Sequence, residues 1–284
     1  MKKIFNRIKN YWPLFKSLQT GLLTVTGLAG YMSARCPITH WTTMLGLVLS
    51  LVFSISGSTV LNMWYDRDID QVMNRTHHRP IANGTVSPSE ALLLGLILSF
   101  LGVGIALFLS PLYALVIFAG IFFDVILYTI LLKRKTCWSV IWGGIAGGMP
   151  ILAGRTLGMG HLDGIGVMLA LAILFWIPTH IMTFSLRYRQ DYAAARIPTF
   201  PSTYSDQFTH ITIAIASIVA AALIGGAAIL IGVNEGFLHL LGILSGGLMI
   251  LAFLMMVKPS PKLNFSLFKF ASVYMLAAMI LLAI

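Results

Sequence analysis

The chain has 284 residues, 58% hydrophobic and only 10% charged, with a mean hydropathy of +0.88. Soluble domains carry about 25% charged residues, so a water-soluble globule, a disordered chain and a disulfide scaffold are excluded. Cys36 and Cys137 are too few for a disulfide framework or a metal cluster and read as small packing residues.

In chain order, residues 1–13 form a basic segment, and nine apolar runs follow at 14–34, 41–63, 91–109, 111–132, 138–154, 165–186, 211–232, 238–257 and 266–284. Runs of about 20 apolar residues cross a bilayer as helices. The first is the weakest, because Lys16 and Gln19 occupy its opening turns, and Pro111 joins the third and fourth as a helical hairpin. The expectation is an all-α integral membrane protein, one domain over 1–284, with about nine transmembrane helices. Nine crossings put the termini on opposite sides. Of the 19 basic residues only Arg35 and Arg155 then fall away from the side of the N-terminus. The positive-inside rule makes the crowded side cytoplasmic, so the net charge of +10 is a topology signal and not a nucleic-acid footprint.

Three of the nine acids fall within five residues at the cytoplasmic end of the second run, in Asn62-Met-Trp-Tyr-Asp66-Arg67-Asp68-Ile-Asp70. Asn62, Asp66 and Asp70 recur every fourth residue and share one helical face. Like charges so placed repel unless a cation sits against them, and an amide with two carboxylates suits Mg²⁺. Asp68 points off this stripe. Arg75 and Arg79 follow at once, in Asn74-Arg75-Thr-His-His-Arg79-Pro80, with guanidinium forks suited to diphosphate oxygens. His77 and His78 are adjacent, point apart, and read as loop positions.

Later loops add to the same side. Tyr128-Thr129 precedes Lys133-Arg134-Lys135, and His180 leads to Arg187, Arg189, Asp191 and Tyr192, where Arg187 and Asp191 form an i, i+4 pair. Ionisable groups at a membrane edge are functional candidates. Their convergence predicts a central cavity opening to the cytoplasm and holding a Mg²⁺-bound diphosphate with an apolar tail. Asp124, inside the fourth run, either pairs with a buried polar group or lines that cavity. Gly143-Gly144 and Gly147-Gly148 read as helix-packing positions.

Asn-x₃-Asp-x₃-Asp followed by Arg75-Thr76-x-x-Arg79-Pro80 resembles the first aspartate-rich motif of the UbiA superfamily of intramembrane prenyltransferases. Tyr128-Thr129, Lys133-Arg134, Gly143-Gly144 through Pro150, Trp176-x-Pro178-x-His180, Arg187 through Tyr192 and Ile197-Pro198-x-x-Pro201 resemble its haem-farnesylating branch. The likeness runs in order over about 15–210. Quinone-directed members carry two acids four apart in the later loop; here Asp191 has Ala195 at that spacing, and the resemblance implies that arginines take over part of the diphosphate neutralisation that a second Mg²⁺ supplies there. Arg196 begins a stretch that glycine usually leads.

The resemblance implies transfer of a farnesyl group from farnesyl diphosphate to a vinyl group of haem B, giving haem O. It casts Asn62, Asp66, Asp70 and Asp191 as catalytic, the first three as Mg²⁺ ligands. Arg75, Arg79, Tyr128, Lys133, Arg134, His180 and Arg187 are cast as substrate-binding, with His180 meeting haem through iron or a propionate. Tyr65 and Tyr128 are candidates to face an allylic cation. The lipid bilayer and a downstream haem-modifying or terminal-oxidase assembly protein are the further partners implied, in a bacterial or archaeal cell membrane with the N-terminus cytoplasmic. Two alternatives stay open from the residues: a UbiA-type enzyme acting on a quinone precursor or lipid, and an ion-coupled transporter using Asp66 and Asp70.

Overall fold

The computed structural model describes residues 10–34 and 40–283. Lys2, Lys3, Arg7 and Lys9 of the basic N-terminal segment, with Arg35 and Cys36, lie outside them. All regular structure among the described residues is helical. After a 3₁₀ turn, Trp12–Phe15, come α1 (Ser17–Ser33), α2 (Trp41–Tyr65), the short α3 (Arg67–Val72) and α4 (Pro88–Leu109). Next, α5 (Pro111–Ile121) passes directly into a π-helix, Phe122–Leu132. The chain then forms α6 (Ser139–Met159), α7 (Gly164–Arg187), two short helices α8 (Arg189–Ala194) and α9 (Phe200–Thr203), and α10 (Asp206–Ile231), α11 (Glu235–Val257) and α12 (Pro261–Ala283).

Seven segments are long and apolar enough to cross a membrane: α2, α4, α5 with its π-helical extension, α7, α10, α11 and α12. The first and fifth predicted runs are also helices, α1 and α6, but α1 is only 17 residues long. Several helices start earlier than hydropathy suggests, because their first turns are polar. Ser87 and Glu90 form a capping box around Pro88, and Ser205 and Asn234 cap α10 and α11 by accepting backbone N–H groups. The first helix starts later than 14, because Lys16 takes a left-handed conformation (φ 40°) between the 3₁₀ turn and α1. The hairpin at Pro111 forms as expected, with Ser110 capping α5.

Small residues set the helix spacing. A Cβ on Gly102 of α4 would meet the backbone nitrogen of Ser54 at 2.5 Å, and one on Gly154 of α6 would collide with the carbonyl of Gly27 in α1. Such close approach maximises dispersion contacts where lipid removes the hydrophobic drive. Gly148 lies against the Ala170 carbonyl of α7, so its stretch serves packing. Lipid-facing and helix-facing positions are both apolar: Phe108 and Trp41 are 93% and 84% exposed, whereas Leu47 and Tyr274 are fully buried. Cys137 is a buried free thiol.

Polar residues gather at two poles. At one, buried Arg155 of α6 forks onto Asp163 (2.7–2.9 Å) and donates to the Ser33 carbonyl (2.7 Å), tying the end of α1 to the α6–α7 turn. The other pole, where α1 begins and α2, the π-helix and α7 end, holds the candidate site.

Candidate active site

The acidic stripe crosses a bend. Asp66 (φ −85°, ψ 4°) separates α2 from α3, yet its N–H still bonds the Asn62 carbonyl (2.9 Å) and the Asp70 N–H bonds the Asp66 carbonyl (2.8 Å). Asn62, Asp66 and Asp70 therefore stay one turn apart on a single ridge. Asp66 is fully buried and Asp70 3% exposed, and buried carboxylates require compensating charge. Lys133 pairs with Asp66 Oδ2, and Arg79 Nη1 donates to both oxygens of Asp70 (2.9 and 2.7 Å). Arg134 Nη2 lies 3.8 Å from Asp66 Oδ1, which nevertheless accepts no hydrogen bond. Arg134 commits its fork to exposed Asp68 (2.6 and 2.7 Å) and donates to the Tyr65 carbonyl. This two-pronged bond holds the Asp68 carboxyl below the usual carboxylate range.

The π-helix fixes Asn62. Thr129 donates its hydroxyl to the Asp124 carbonyl five residues back (2.8 Å), a partner that the wider helix brings into reach. With its proton so used, Thr129 Oγ1 can only accept, and it takes the Asn62 Nδ2 hydrogen at 3.0 Å. The Asn62 carbonyl oxygen is thereby the end of the amide left for other partners. One turn earlier, Ser58 donates to the Asp124 carboxylate, the first of the two alternatives that the sequence left open for that acid.

The later loop folds against the first. Buried Asp191 accepts the backbone N–H of Arg75 at 3.2 Å. The expected Arg187–Asp191 pair does not form: Tyr188 (φ −107°, ψ 30°) breaks the helix between them, which destroys the i, i+4 geometry. Arg187 instead lies over the Phe265 ring of α12, 4.1 Å from its centroid. Arg196 adopts φ 52°, which explains why glycine suits that place.

Beside the ridge is a cavity of about 430 Å³ whose lining includes Lys16, Gln19, Arg75, His78 and Arg79. Lys16 is a residue that sequence reasoning counted as a topology charge and a weakness of the first span, and not as a site residue. It makes no ion pair among the described residues, and its left-handed backbone is the kind of strain that collects at functional sites. A cation in the opening turn of an apolar run was the available signal. The Arg75 Nε is buried without a hydrogen bond, while its guanidinium lies 5.0 Å from the Phe184 ring and 5.8 Å from that of Tyr188. Tyr65 and Tyr128 already face cations, Arg134 at 4.7 Å and Lys133 at 5.7 Å.

His180 sits deeper in α7, between the rings of Trp176 (4.9 Å) and Phe268 (4.6 Å). Ser272 donates to the Phe268 carbonyl, so its oxygen accepts from His180 Nδ1 at 3.3 Å. That arrangement leaves the lone pair on Nε2.

The ridge thus presents an amide oxygen, a buried unpaired carboxylate oxygen on Asp66, and the Arg79-paired carboxylate of Asp70. This hard-oxygen set fits a small divalent cation that keeps places for water and phosphate oxygens. Among the described residues no three acidic, imidazole or thiolate groups gather into a ready-made cage.

The sequence model of the UbiA prenyltransferase family matches residues 23–276. A protoheme IX farnesyltransferase from Archaeoglobus fulgidus is 40% identical over 195 residues, 69% of this chain and 68% of that one. Another, from Teredinibacter turnerae, is 32% identical over 282 residues, 97% and 89% of the two chains. Among solved structures, that of a digeranylgeranylglyceryl phosphate synthase superposes with a TM-score of 0.82 at 19% identity, covering 98% of each chain. A UbiA homologue from Archaeoglobus fulgidus bound to GPP and Mg²⁺ does so at 0.67 and 16% identity, covering 97% of this chain and 100% of that one. At such identities the structural likeness establishes the fold, and the sequence matches establish the family. The chain belongs to the UbiA prenyltransferase family and is an integral membrane prenyltransferase.

Proposed function

We propose that the chain transfers the farnesyl group of farnesyl diphosphate to a vinyl group of haem B, giving haem O and diphosphate. The observation that carries this is the juxtaposition, at one pole of the bundle, of the Asn62–Asp66–Asp70 ridge with Lys133, Arg79 and Arg75 beside a cavity. The names of the relatives at 32–40% identity support haem as acceptor. In this reading the chain is one membrane domain of nine spans, α1 and α6 included. Its cavity and N-terminus face the cytoplasm of a bacterial or archaeal cell, and its product passes to a haem-modifying or oxidase-assembly partner.

Mg²⁺, held by Asn62, Asp66 and Asp70, would neutralise the diphosphate and improve it as a leaving group. Arg75, Arg79, Lys133 and Lys16 stand where negative charge grows as the carbon–oxygen bond breaks and its electron pair passes to the diphosphate. Asp191 positions Arg75 through its backbone, and Arg134 anchors the Lys133 loop. Tyr128 lies beneath Lys133 at the mouth. The surrounding bundle of membrane helices keeps bulk water from the allylic cation until the vinyl π-electrons form the new carbon–carbon bond. Water then adds to the resulting cation as hydroxyl and releases a proton. The Nε2 of His180, without a hydrogen bond among the described residues, serves haem iron, with Ser272 fixing the tautomer in the way outer partners fix ligating histidines.

The test is a mass spectrum of haems from cells that cannot make haem O and express this chain. Haem O is expected from the parent and none from Asp66→Ala or Asp70→Ala chains that remain inserted. Prenylation of an aromatic acid, with haem B unchanged, would transfer the assignment to the quinone-directed enzymes.

A further inference from the structure

Arg187 and Lys269 are a pair of cations without an acid. The Arg187 guanidinium lies 4.1 Å and the Lys269 ammonium 4.3 Å from the centroid of the same ring, Phe265, and neither makes an ion pair with a described residue. The charged residues that follow Arg187 are taken: Arg189 pairs with Asp206, and Asp191 accepts the Arg75 N–H. Long basic side chains at a membrane edge ordinarily extend toward water. Both residues are exposed, and both lean over one ring, where an anion that joins them offsets their mutual repulsion.

The surface beside them is aromatic and leads inward. Phe265 stacks with Phe268 (6.4 Å, 8°), and Phe268 meets both His180 (4.6 Å) and Phe184 (5.9 Å). Trp176, His180 and Phe184 succeed one another every fourth residue on α7, and Tyr188 follows at its C-terminal end. Two side-chain bonds hold the seam between α7 and α12, a buried one from Asn264 to the Thr183 carbonyl (2.8 Å) and a partly buried one from Trp176 to the Ala271 carbonyl (2.8 Å). An acid-free cation pair at the mouth of an aromatic seam matches a flat, apolar molecule bearing carboxylates at one edge.

We propose that Arg187 and Lys269 bind the propionate carboxylates of the acceptor, so that Arg187 belongs to the acceptor site and not to the diphosphate site. This rests on the reading of the acceptor as haem B. The headgroup of an anionic phospholipid offers the same uncompensated oxyanion, and the membrane composition separates the two.

The experiment titrates the full chain, in nanodiscs of zwitterionic lipid, with haem B and with haem B dimethyl ester, followed by Soret absorbance. The ester keeps iron and vinyl groups and loses both charges. For Arg187→Ala/Lys269→Ala, half-saturation by haem B is expected to rise roughly tenfold, as loss of about 1.4 kcal/mol requires. Half-saturation by the ester and by farnesyl diphosphate is expected to match the parent. The charge-preserving Arg187→Lys/Lys269→Arg chain should bind haem B within about threefold of the parent, a difference below 1 kcal/mol. The proposal is overturned if the parent binds ester and acid equally, or if the double alanine variant loses both alike. It is also overturned if the defect arises only when anionic phospholipid is added. Failure of the parent to bind either haem, with farnesyl diphosphate still bound, would instead remove the acceptor assignment beneath it, and this proposal with it.

Discussion

Replacing Lys133 by methionine tests the ridge directly. Lys133 is the principal cation on Asp66, whose side chain is fully buried, while the Lys133 side chain is 18% exposed. Removing one partner of a buried pair typically costs about 3–5 kcal/mol, because an uncompensated charge remains. Arg134 at 3.8 Å and the partial exposure of Lys133 place this case toward the lower end of that range. Unfolding in detergent, followed with and without MgCl₂, reads the effect. Lys133→Met should lose stability strongly in chelator and recover much of it as Mg²⁺ rises, since a divalent cation can take over the charge of Asp66. The parent should respond less, because Lys133 already compensates that carboxylate. Lys133→Met combined with Asp66→Asn should be less destabilised than Lys133→Met and indifferent to Mg²⁺. Parental stability of Lys133→Met in chelator, or a loss that Mg²⁺ leaves untouched, would refute both the pairing and the metal assignment.

Thr129→Val removes the hydroxyl that orients Asn62 and leaves a half-buried amide donor without that partner, a penalty of about 1 kcal/mol. The Mg²⁺ concentration needed for half-maximal farnesyl diphosphate binding should rise, and Thr129→Ser should restore it; equal behaviour of the two variants would argue against the orienting role. Asp68 has a depressed carboxyl pKa in the folded chain, so its bond to Arg134 contributes stability above the unfolded carboxyl pKa and loses it as pH falls through the folded value. Asp68→Asn should therefore flatten the acid limb of the stability profile below about pH 4, as read by thermal melts across pH. Arg155→Met, at the far pole, should destabilise by about 3–5 kcal/mol through the stranded Asp163 while leaving diphosphate half-saturation unchanged in equilibrium binding.

The helices and the ridge were legible because each depends on local geometry. Runs of apolar residues declare membrane helices whatever packs beside them, and a four-residue spacing aligns Asn62, Asp66 and Asp70 even across the bend at Asp66. The partners of that ridge were legible only in kind. Lys133 stands 67 residues from Asp66, and Arg75 stands 116 residues from Asp191; such pairings follow from how helices are rotated against one another. Hydropathy does not encode that rotation in a membrane, where exposed Phe108 and buried Leu47 are equally apolar. The same blindness hid the π-helical register that brings Thr129 to Asp124, the polar first turns of α4, α10 and α11, and the entry of Lys16 into the cavity wall. Arg187 is the sharpest case: a helical repeat drew it toward Asp191, and one non-helical residue, Tyr188, turned it to Phe265. Composition and spacing alone determined a membrane-embedded helical protein with an oxygen-ligand ridge at a basic pole. Which cation meets which acid was decided by tertiary packing, because charges in a low-dielectric interior are fixed by the neighbours that helix contacts supply.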